Sequence, residues 1–334
     1  MEDVISVDKL QVIYSDGTKA VDGINFDVKE GEFFGFLGPN GAGKSTTIKV
    51  LTTLLRKTAG NATVFGHDIS SHAKDIRPLI GVQSQDTVVD GDLSGRENMV
   101  LQGNLHGMRG KELDARVDEL LKLVELTDVA DRRAAYYSGG MKKRLDLASS
   151  LVHKPKLLFL DEPTTGLDPQ SRAGVWKYMR RLNKEEGITI FLTTQYLEEA
   201  DRLCDRLAII DHGQIVASGT PSELKDEIGA DAITLAAEGN SGGALTVKQV
   251  LQGIPGIGEI VEGEGGITIY AKNASTMVPD IVRAFDSSGL RLVSINLSRP
   301  SLDDVFLKHT GHRIRAEELV KPPSRMIGRF GRRR

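Results

Sequence analysis

Several features that would assign this chain to a protein class are scarce or missing. Only one of the 334 residues, Cys204, is a cysteine, so no disulfide can form within the chain and a reducing compartment is favoured. Apolar runs such as KLLFL and RLAII are as long as strands and far shorter than the ~20 residues that span a bilayer. Met1 is followed by two acids, not by the apolar segment of a signal peptide. We therefore expect a cytoplasmic protein that could serve a membrane only through a partner.

The charge is unevenly distributed along the chain. The formal net charge is −3, yet residues 311–334 carry eight Lys or Arg and only two Glu, so the rest of the chain is acidic. A basic tail on an acidic body is typical of contact with an anionic partner, either lipid or nucleic acid. A solvated, disordered end explains the same composition equally well.

The length predicts about two domains, and the pattern of residues changes near Gly229. Before that point, strand-like and helix-like segments alternate, which predicts an α/β fold with a mainly parallel sheet covered on both faces. In the helix KSTTIKVLTTLL, the apolar face is predicted to include Leu51, Leu54 and Leu55. A second amphipathic helix, ELDARVDELLKLVEL, follows further along the chain.

After Gly229 the predicted order is β-α-β-β-α-β, which is that of a small α+β ferredoxin-like domain. A short helix capped by Ser301 closes this segment. The sequence therefore predicts a nucleotide-binding domain over residues 1–228, an accessory domain over 229–312 and a basic, flexible tail over 313–334.

A phosphate-binding loop stands between the strand FFGFLG and the helix that follows it. The run GPNGAGKST matches G-x-x-x-x-G-K-S/T, in which glycines let backbone N–H groups surround a polyphosphate. Lys44 places a charge on the outer phosphates and the Ser45 hydroxyl is a ligand for Mg²⁺. The predicted contacts to the nucleotide are Gly38, Pro39, Asn40, Gly41, Ala42, Gly43, Lys44, Ser45 and Thr46. GTPases, kinases and ATPases share this loop, so it predicts only a P-loop NTPase.

Two acids end the next apolar strand, KLLFLDEP. Asp161 at the strand end can hold the Mg²⁺ shell. Glu162 would face the attacking water, where a carboxylate can act as a general base. The combination predicts hydrolysis of the nucleotide.

A second candidate anion site lies between these motifs, in YYSGGMKKRLDLASS. Ser138, Gly139 and Gly140 begin a helix, and a hydroxyl and free N–H groups at a helix start bind anions. One nucleotide has only one triphosphate. A head-to-tail dimer, in which each nucleotide meets one copy's phosphate loop and the other copy's Ser-Gly-Gly turn, would explain both sites.

Six motifs in this order resemble the ATP-binding cassette (ABC) ATPases across residues 1 to about 225. The resemblance implies that ATP is the nucleotide and that a helical subdomain carries the Ser-Gly-Gly signature. It implies that Tyr14 stacks on adenine and that Gln85, in IGVQSQD, senses Mg²⁺ and water and faces a membrane subunit. It also implies that Asp168, in TTGLD, reaches across the dimer. The implied metal contacts are Ser45, Asp161 and Gln85.

Gln195, in GITIFLTTQYLEEAD, stands where this family usually has a histidine that touches the γ-phosphate. A glutamine amide can donate a hydrogen bond to a phosphate oxygen, but it cannot become a cation. The implied catalytic residues are thus Glu162, Lys44 and Gln195. Tyr137 and Met141 also depart from the usual signature, and all three departures resemble the daunorubicin-resistance type of exporter ATPases, to about residue 312.

The leading hypothesis is an ATPase homodimer that drives a separate polytopic membrane permease from the inner face of the cell membrane, with a basic tail that contacts anionic lipid. The alternative is a soluble ABC ATPase that acts on nucleic acid or ribosomes, which only the tail favours. A small-molecule kinase or GTPase conflicts with the signature. His67, His72, His106 and His153 are not expected to form a metal site, and KKR at 142–144 is expected to be a solvated face.

Overall fold

The computed structural model describes residues 3–228, 232–238, 250, 251, 254, 256–263, 266–271, 274–288, 291–298 and 300–311. Up to residue 228 the strands are β1 (Asp3–Ile13), β2 (Lys19–Lys29), β3 (Phe33–Leu37), β4 (Ala59–Val64), β5 (His67–Asp68), β6 (Ile80–Gln83), β7 (Leu157–Asp161), β8 (Thr189–Thr194), β9 (Arg206–Asp211) and β10 (Gln214–Gly219). The α-helices there are α1 (Lys44–Leu51), α2 (Ala73–Ile76), α3 (Gly95–Leu105), α4 (Gly110–Leu123), α5 (Gly139–Ser150), α6 (Pro169–Glu186), α7 (Leu197–Leu203) and α8 (Pro221–Asp226). Beyond it lie β11 (Ala232–Glu238), β12 (Ile257–Gly263), β13 (Gly266–Ala271), α9 (Ala274–Ser288), β14 (Arg291–Ser298) and α10 (Leu302–Thr310).

The central sheet has the order β10-β9-β3-β8-β7-β6 and is parallel except for β10. Every residue of β3, β7 and β8 is buried, as the continuous apolar runs predicted for strands covered on both faces. This sheet confirms the mainly parallel α/β prediction. It also brings the carboxyl ends of β3, β7 and β8 side by side, where the phosphate loop, the two acids and Gln195 follow.

A second, antiparallel sheet, β2-β1-β4-β5, packs against the first, which strand-helix alternation did not reveal. A cluster of phenylalanine rings joins the two sheets, with Phe26 from β2 against Phe34, Phe36 and Phe191. On the other side of the central sheet, Cys204 is buried behind β3. A Cβ on Gly35 would lie only 2.5 Å from its Sγ atom, so the thiol fills the space that the glycine leaves.

The helices α3, α4 and α5 form the helical subdomain between β6 and β7. The face predicted for α4 is buried, including Leu113, Val117 and Leu120. The prediction for Leu54 is wrong. The helix α1 ends at Leu51, Thr53 has a φ of +63°, and the side chain of Leu54 is 68% exposed because it no longer lies on the helix face.

The last region contains an antiparallel sheet of order β12-β13-β11-β14, which agrees with the ferredoxin-like prediction. The predicted helix LTVKQVLQ lies outside the described residues except for 250 and 251, which are helical. Ser301 caps α10 through a capping box with Asp304, and the apolar side of α10 joins the core of the preceding region through Val305 and Phe306. Among the described residues, no helix is long and apolar enough to cross a bilayer.

Candidate nucleotide-binding site

At Gly43 the phosphate loop has a backbone conformation and surroundings that only glycine fits. The loop joins β3 to α1, and Gly41 and Gly43 have φ values of +81° and +108°. A Cβ on Gly43 would lie 2.3 Å from the carbonyl oxygen of Ala20 in β2. The loop therefore packs directly against the antiparallel sheet, and its N–H groups and the first turn of α1 are left to surround an anion.

The ammonium group of Lys44 is held inside the loop. Its Nζ donates to the carbonyl oxygens of Gly38, at 2.8 Å, and Pro39, at 3.0 Å. It also lies 3.1 Å from Oε1 of Glu162, and the two side chains are only 4% and 5% exposed. The charge expected to meet the phosphates and the acid expected to meet water thus neutralise each other across the site.

Asp161, the last residue of β7, brings two oxygen-bearing side chains together. Its Oδ1 accepts hydrogen bonds from Ser45 Oγ at 3.0 Å and from Thr193 Oγ1 at 2.6 Å. A cluster of carboxylate and hydroxyl oxygens is the chemistry that Mg²⁺ prefers, so Ser45 and Asp161 fit the proposed ion. Thr193 was missed because its approach to Asp161 depends on the pairing of β7 with β8, which single-sequence patterns do not give.

Glu162 adopts a conformation that non-glycine residues seldom adopt, with a φ of +48°. Its backbone N–H donates to the carbonyl oxygen of Thr193 at 3.1 Å, which holds the turn. Its Oε2 accepts from Thr165 Oγ1 at 3.2 Å and from Gln85 Nε2 at 3.4 Å. Left-handed backbone at a non-glycine residue costs on the order of 1 kcal/mol and often marks a functional position.

One pocket of about 590 Å³ is lined by half of the residues predicted to contact the nucleotide. Tyr14 is 39% exposed and lines this pocket, and its hydroxyl is 2.9 Å from Thr46 Oγ1. The predicted residues that line this pocket are Tyr14, Asn40, Gly41, Gly43, Lys44, Ser45, Thr46, Gln85 and Glu162. Lys19 and His212 also line it and were not predicted, because neither belongs to a recognisable motif.

The signature residues lie outside this pocket. Ser138 caps α5 by accepting a hydrogen bond from the N–H of Met141, and Ser138 and Gly139 are exposed. Asp168 is exposed as well and caps α6 through Ser171, whose N–H and hydroxyl groups hold the pKa of Asp168 below its usual value. Ser138, Gly139 and Asp168 are therefore exposed at the surface and do not line the pocket of their own chain.

Gln195 follows β8 at the same edge of the central sheet as the loop and the acids. The N–H of Gly38 donates to the carbonyl oxygen of Thr194, which fixes the backbone beside the phosphate loop. The side chain of Gln195 is 8% exposed, and its Oε1 has no hydrogen-bond partner among the described residues. Gln195 is not among the residues that line the pocket, and its unused Oε1 can only accept a hydrogen bond, so contact with a phosphate oxygen would have to come from its Nε2 group.

The prediction of a solvated KKR face is wrong for Lys143, which is buried and donates from Nζ to the carbonyl oxygen of Gln85 at 2.5 Å. Burial lowers the pKa of Lys143.

The four histidines considered above lie in two pairs, His67 with His72 and His106 with His153. The stacked rings of His106 and His153 are 3.8 Å apart. In the described part of the chain, no three His, Cys, Asp or Glu side chains are placed to hold a metal.

Three features together define the class of cassette ATPases. They are a phosphate loop at the end of the parallel strand β3, paired acids at the end of β7, and a helical subdomain that carries Ser-Gly-Gly. Residues 21–165 match the family described as ABC transporter. Residues 219–310 match the family described as ATP-binding protein DrrA1-3-like, C-terminal domain.

Known relatives make the assignment specific. The daunorubicin resistance ATP-binding protein DrrA2 of Streptomyces coeruleorubidus is 44% identical to this chain over 88% of this chain and 91% of its own length. The solved structure of cbiO1 from Clostridium perfringens, part of the ABC transporter complex cbiONQ, has a TM-score of 0.63 and 32% identity, over 68% of this chain and 94% of that one. The dimeric structure of a post-hydrolysis state of the ATP-binding cassette MJ0796, bound to ADP and Pi, has a TM-score of 0.60 and 26% identity. The match covers 65% of this chain and 98% of that one. The chain belongs to the ATP-binding proteins of ABC transporters, in the daunorubicin-resistance group, and is an ATPase.

Proposed function

We propose that this ATPase works as a homodimer that drives a separate polytopic membrane permease, and that the complex exports drug-like or lipophilic compounds. The observation that carries the proposal is the separation of two anion sites. Lys44, Glu162 and Gln85 line one pocket, whereas Ser138 and Gly139 are exposed outside it. A second copy supplies the missing signature, as the dimeric state of the cassette MJ0796 suggests.

The chemistry assigns a separate task to each side chain around ATP. Lys44 exchanges its buried contact with Glu162 for the outer phosphates, which frees the carboxylate to polarise the attacking water. The amide of Gln195 donates to an oxygen of the γ-phosphate, and the partner's signature closes over the same group. Tyr14 stacks on the base.

Ser45 and Asp161 would hold Mg²⁺, with Gln85 at its edge. The ion would neutralise phosphate charge when it is bound. The convergence of Ser45 Oγ on Asp161 Oδ1 supports this assignment. The hydrogen bond that Thr193 donates to Asp161 would orient this carboxylate for the ion.

The export proposal rests on the name of the relative DrrA2, a daunorubicin resistance protein. Because no described helix can cross a bilayer, the permease would be another chain, and this subunit would lie at the inner face of the membrane. We assign the basic tail, which is outside the described residues, to contact with anionic lipid. Action on nucleic acid or ribosomes has no support in the described residues.

Copurification tests this proposal. The tagged chain is extracted from membranes in mild detergent, and the proteins bound to it are identified. A stoichiometric polytopic membrane protein is expected, together with ATP hydrolysis that Glu162→Gln reduces about 100- to 10,000-fold. A chain that stays soluble, or that brings down ribosomes or DNA, would refute the export proposal while leaving the ATPase assignment intact.

A further inference from the structure

A buried cation on α5 has no task among the roles proposed above. Lys143 follows Gly140 of the signature by three residues, yet it is only 8% exposed. Lysine is almost never fully buried unless it is paired, because burial of an ammonium group costs free energy. Its Nζ donates to the backbone carbonyl oxygen of Gln85 at 2.5 Å. The buried charge thus meets the segment that carries a residue of the nucleotide pocket.

The segment after β6 contacts α5 at three points. Residues 84–88, which we call the Gln85 segment, belong to no helix or strand, and the first three of them are exposed. Besides the bond from Lys143, the N–H of Val88 donates to Asp146 Oδ1 at 3.4 Å. Just before the segment, Gln83 Nε2 donates to the carbonyl oxygen of Lys143 at 3.3 Å. The helix α5 therefore holds the chain before the Gln85 segment, within it and at its end.

The bond from the ammonium group is the strongest of the three contacts. It is the shortest, and a charged donor makes a hydrogen bond roughly twice as strong as a neutral one. The negative charges of four nearby acids also attract this ammonium group: Asp146, Asp86, Asp161 and Glu162. Removal of Lys143 should therefore release the middle of the Gln85 segment, where Gln85 itself lies.

The side chain of Gln85 extends from this segment to the catalytic acid. Its Nε2 donates to Glu162 Oε2 at 3.4 Å, and Thr165 Oγ1 donates to the same oxygen at 3.2 Å. The other carboxylate oxygen contacts Lys44, which moves to the phosphates in the proposed mechanism. Gln85 and Thr165 then remain to orient the carboxylate. The backbone position that Lys143 fixes thus decides where the Gln85 amide meets Glu162.

Helix packing alone does not require a lysine at this position. An apolar side chain of similar length, such as methionine, would fill the space beside β6 without the cost of burying an ammonium group. It could not donate to the carbonyl oxygen of Gln85. Because the Gln85 segment is largely exposed, apolar contacts could not fix it, whereas a directional bond to its backbone can.

We propose that Lys143 is a positioning residue for ATP hydrolysis: it holds the Gln85 carbonyl, directs the Gln85 amide to Glu162 and so orients that carboxylate toward the attacking water. The inference rests on the proposed roles of Gln85 and Glu162. Lys143 does not line the nucleotide pocket, so it acts through Gln85. It therefore affects the hydrolysis step and leaves the binding of ATP unchanged.

Three substitutions in the full-length chain separate this role from packing and from general charge. Lys143→Met keeps the length and removes the donor, whereas Lys143→Arg keeps a charged donor. Lys142→Met removes the same charge one residue earlier, from a side chain that is only half-buried. Steady-state hydrolysis gives kcat and KM, nucleotide binding gives the affinity for ATP, and urea unfolding gives the stability of each variant.

The expected losses fall on kcat. Lys143→Met should lower kcat about 10- to 100-fold, because a small misplacement at a reacting centre has effects of this size. Its affinity for ATP should change by less than about twofold, because the pocket is untouched. Lys143→Arg and Lys142→Met should keep kcat within about threefold of the wild type, since both retain a charged donor at position 143.

A double-mutant cycle tests whether Lys143 acts through Gln85. Gln85→Ala removes the side chain that Lys143 positions. In the Gln85→Ala background, Lys143→Met should therefore lower kcat by less than about a further twofold, because residues that act as a unit are not additive. A lysine with a merely structural role would lower the unfolding free energy with kcat unchanged, or would give losses in kcat that multiply.

The outcomes distinguish the inference from the proposed function. A folded Lys143→Met chain with wild-type kcat, losses that multiply in the cycle, or an equal loss in Lys142→Met would overturn the role of Lys143. A wild type whose hydrolysis is unaffected by both Glu162→Gln and Gln85→Ala would instead overturn the proposed roles on which the inference rests. If Lys143→Met does not fold, Lys143→Gln, which is neutral and shorter by one atom, replaces it in the cycle with the same expectations.

Discussion

The two regions of this chain differ in what they bury. The ATPase region encloses charged side chains, including Lys44, Asp161, Glu162 and Glu199. In the described part of residues 232–311, the buried polar side chains are only Thr268 and Asp304, and the core is made of residues such as Ile281 and Phe285. Burying charge costs free energy unless it is paired, so the region that accepts this cost is the region where chemistry is expected.

The largest effect, on the rate of ATP hydrolysis, is expected from removal of the buried carboxylate of Glu162. Glu162→Gln keeps the shape of the side chain but removes the carboxylate that we propose polarises the attacking water. We expect turnover to fall about 100- to 10,000-fold with ATP still bound. Steady-state hydrolysis and ATP binding measure the two effects, and near-normal turnover would mean that another group activates the water.

The opposite test removes apolar packing from the accessory region. Phe285→Ala should cost about 3–5 kcal/mol, because a fully buried ring leaves a cavity. Denaturant unfolding measures the loss. If the variant stays folded at low temperature, its affinity for ATP should be unchanged. A parallel loss of ATP affinity would show that the accessory region does more than pack.

A buried acid should make the ATPase region sensitive to pH. Burial raises the pKa of Asp146 to about 6 from 3.8, against the opposing charge of Lys143. The folded chain therefore holds this proton more tightly than the unfolded chain. The stability it contributes is present below about pH 4 and is lost as the pH rises to about 6.

Asp146→Asn should remove that dependence. The difference in unfolding free energy between variant and wild type should change by on the order of 1–3 kcal/mol between about pH 4 and pH 7. Urea unfolding at both pH values measures it. Parallel pH profiles for the two proteins would mean that Asp146 is ionised throughout, with Lys143 as an effective partner.

The smallest effect is expected at a helix cap where the two regions meet. Ser301→Ala removes the side chain that accepts from the N–H of Asp304 at the start of α10. We expect a loss of about 1 kcal/mol in unfolding free energy and no change in ATP hydrolysis. Ser301→Thr is the matched control, because it keeps the capping hydroxyl.

The sequence was sufficient to predict the parts of the site that lie within single motifs. The phosphate loop, the acids after β7 and the strands of the accessory sheet follow from local spacing and element order. The contacts of Thr193 and Lys143 could not be predicted, because they join strands and helices that are far apart in sequence. Leu54 was assigned to the core because periodicity does not indicate where α1 ends.

The thiol behind Gly35 has a practical consequence. Burial raises the pKa of Cys204 well above its usual value, and no other cysteine is present in the chain. Maleimide reagents need an accessible thiolate, so Cys204 should not react with them under mild labelling conditions. A cysteine engineered at an exposed position outside the ATP-binding motifs, such as Leu105, which is 72% exposed, would then carry a single fluorophore, and ATP-driven approach of two copies could be observed as energy transfer without first removing a native thiol.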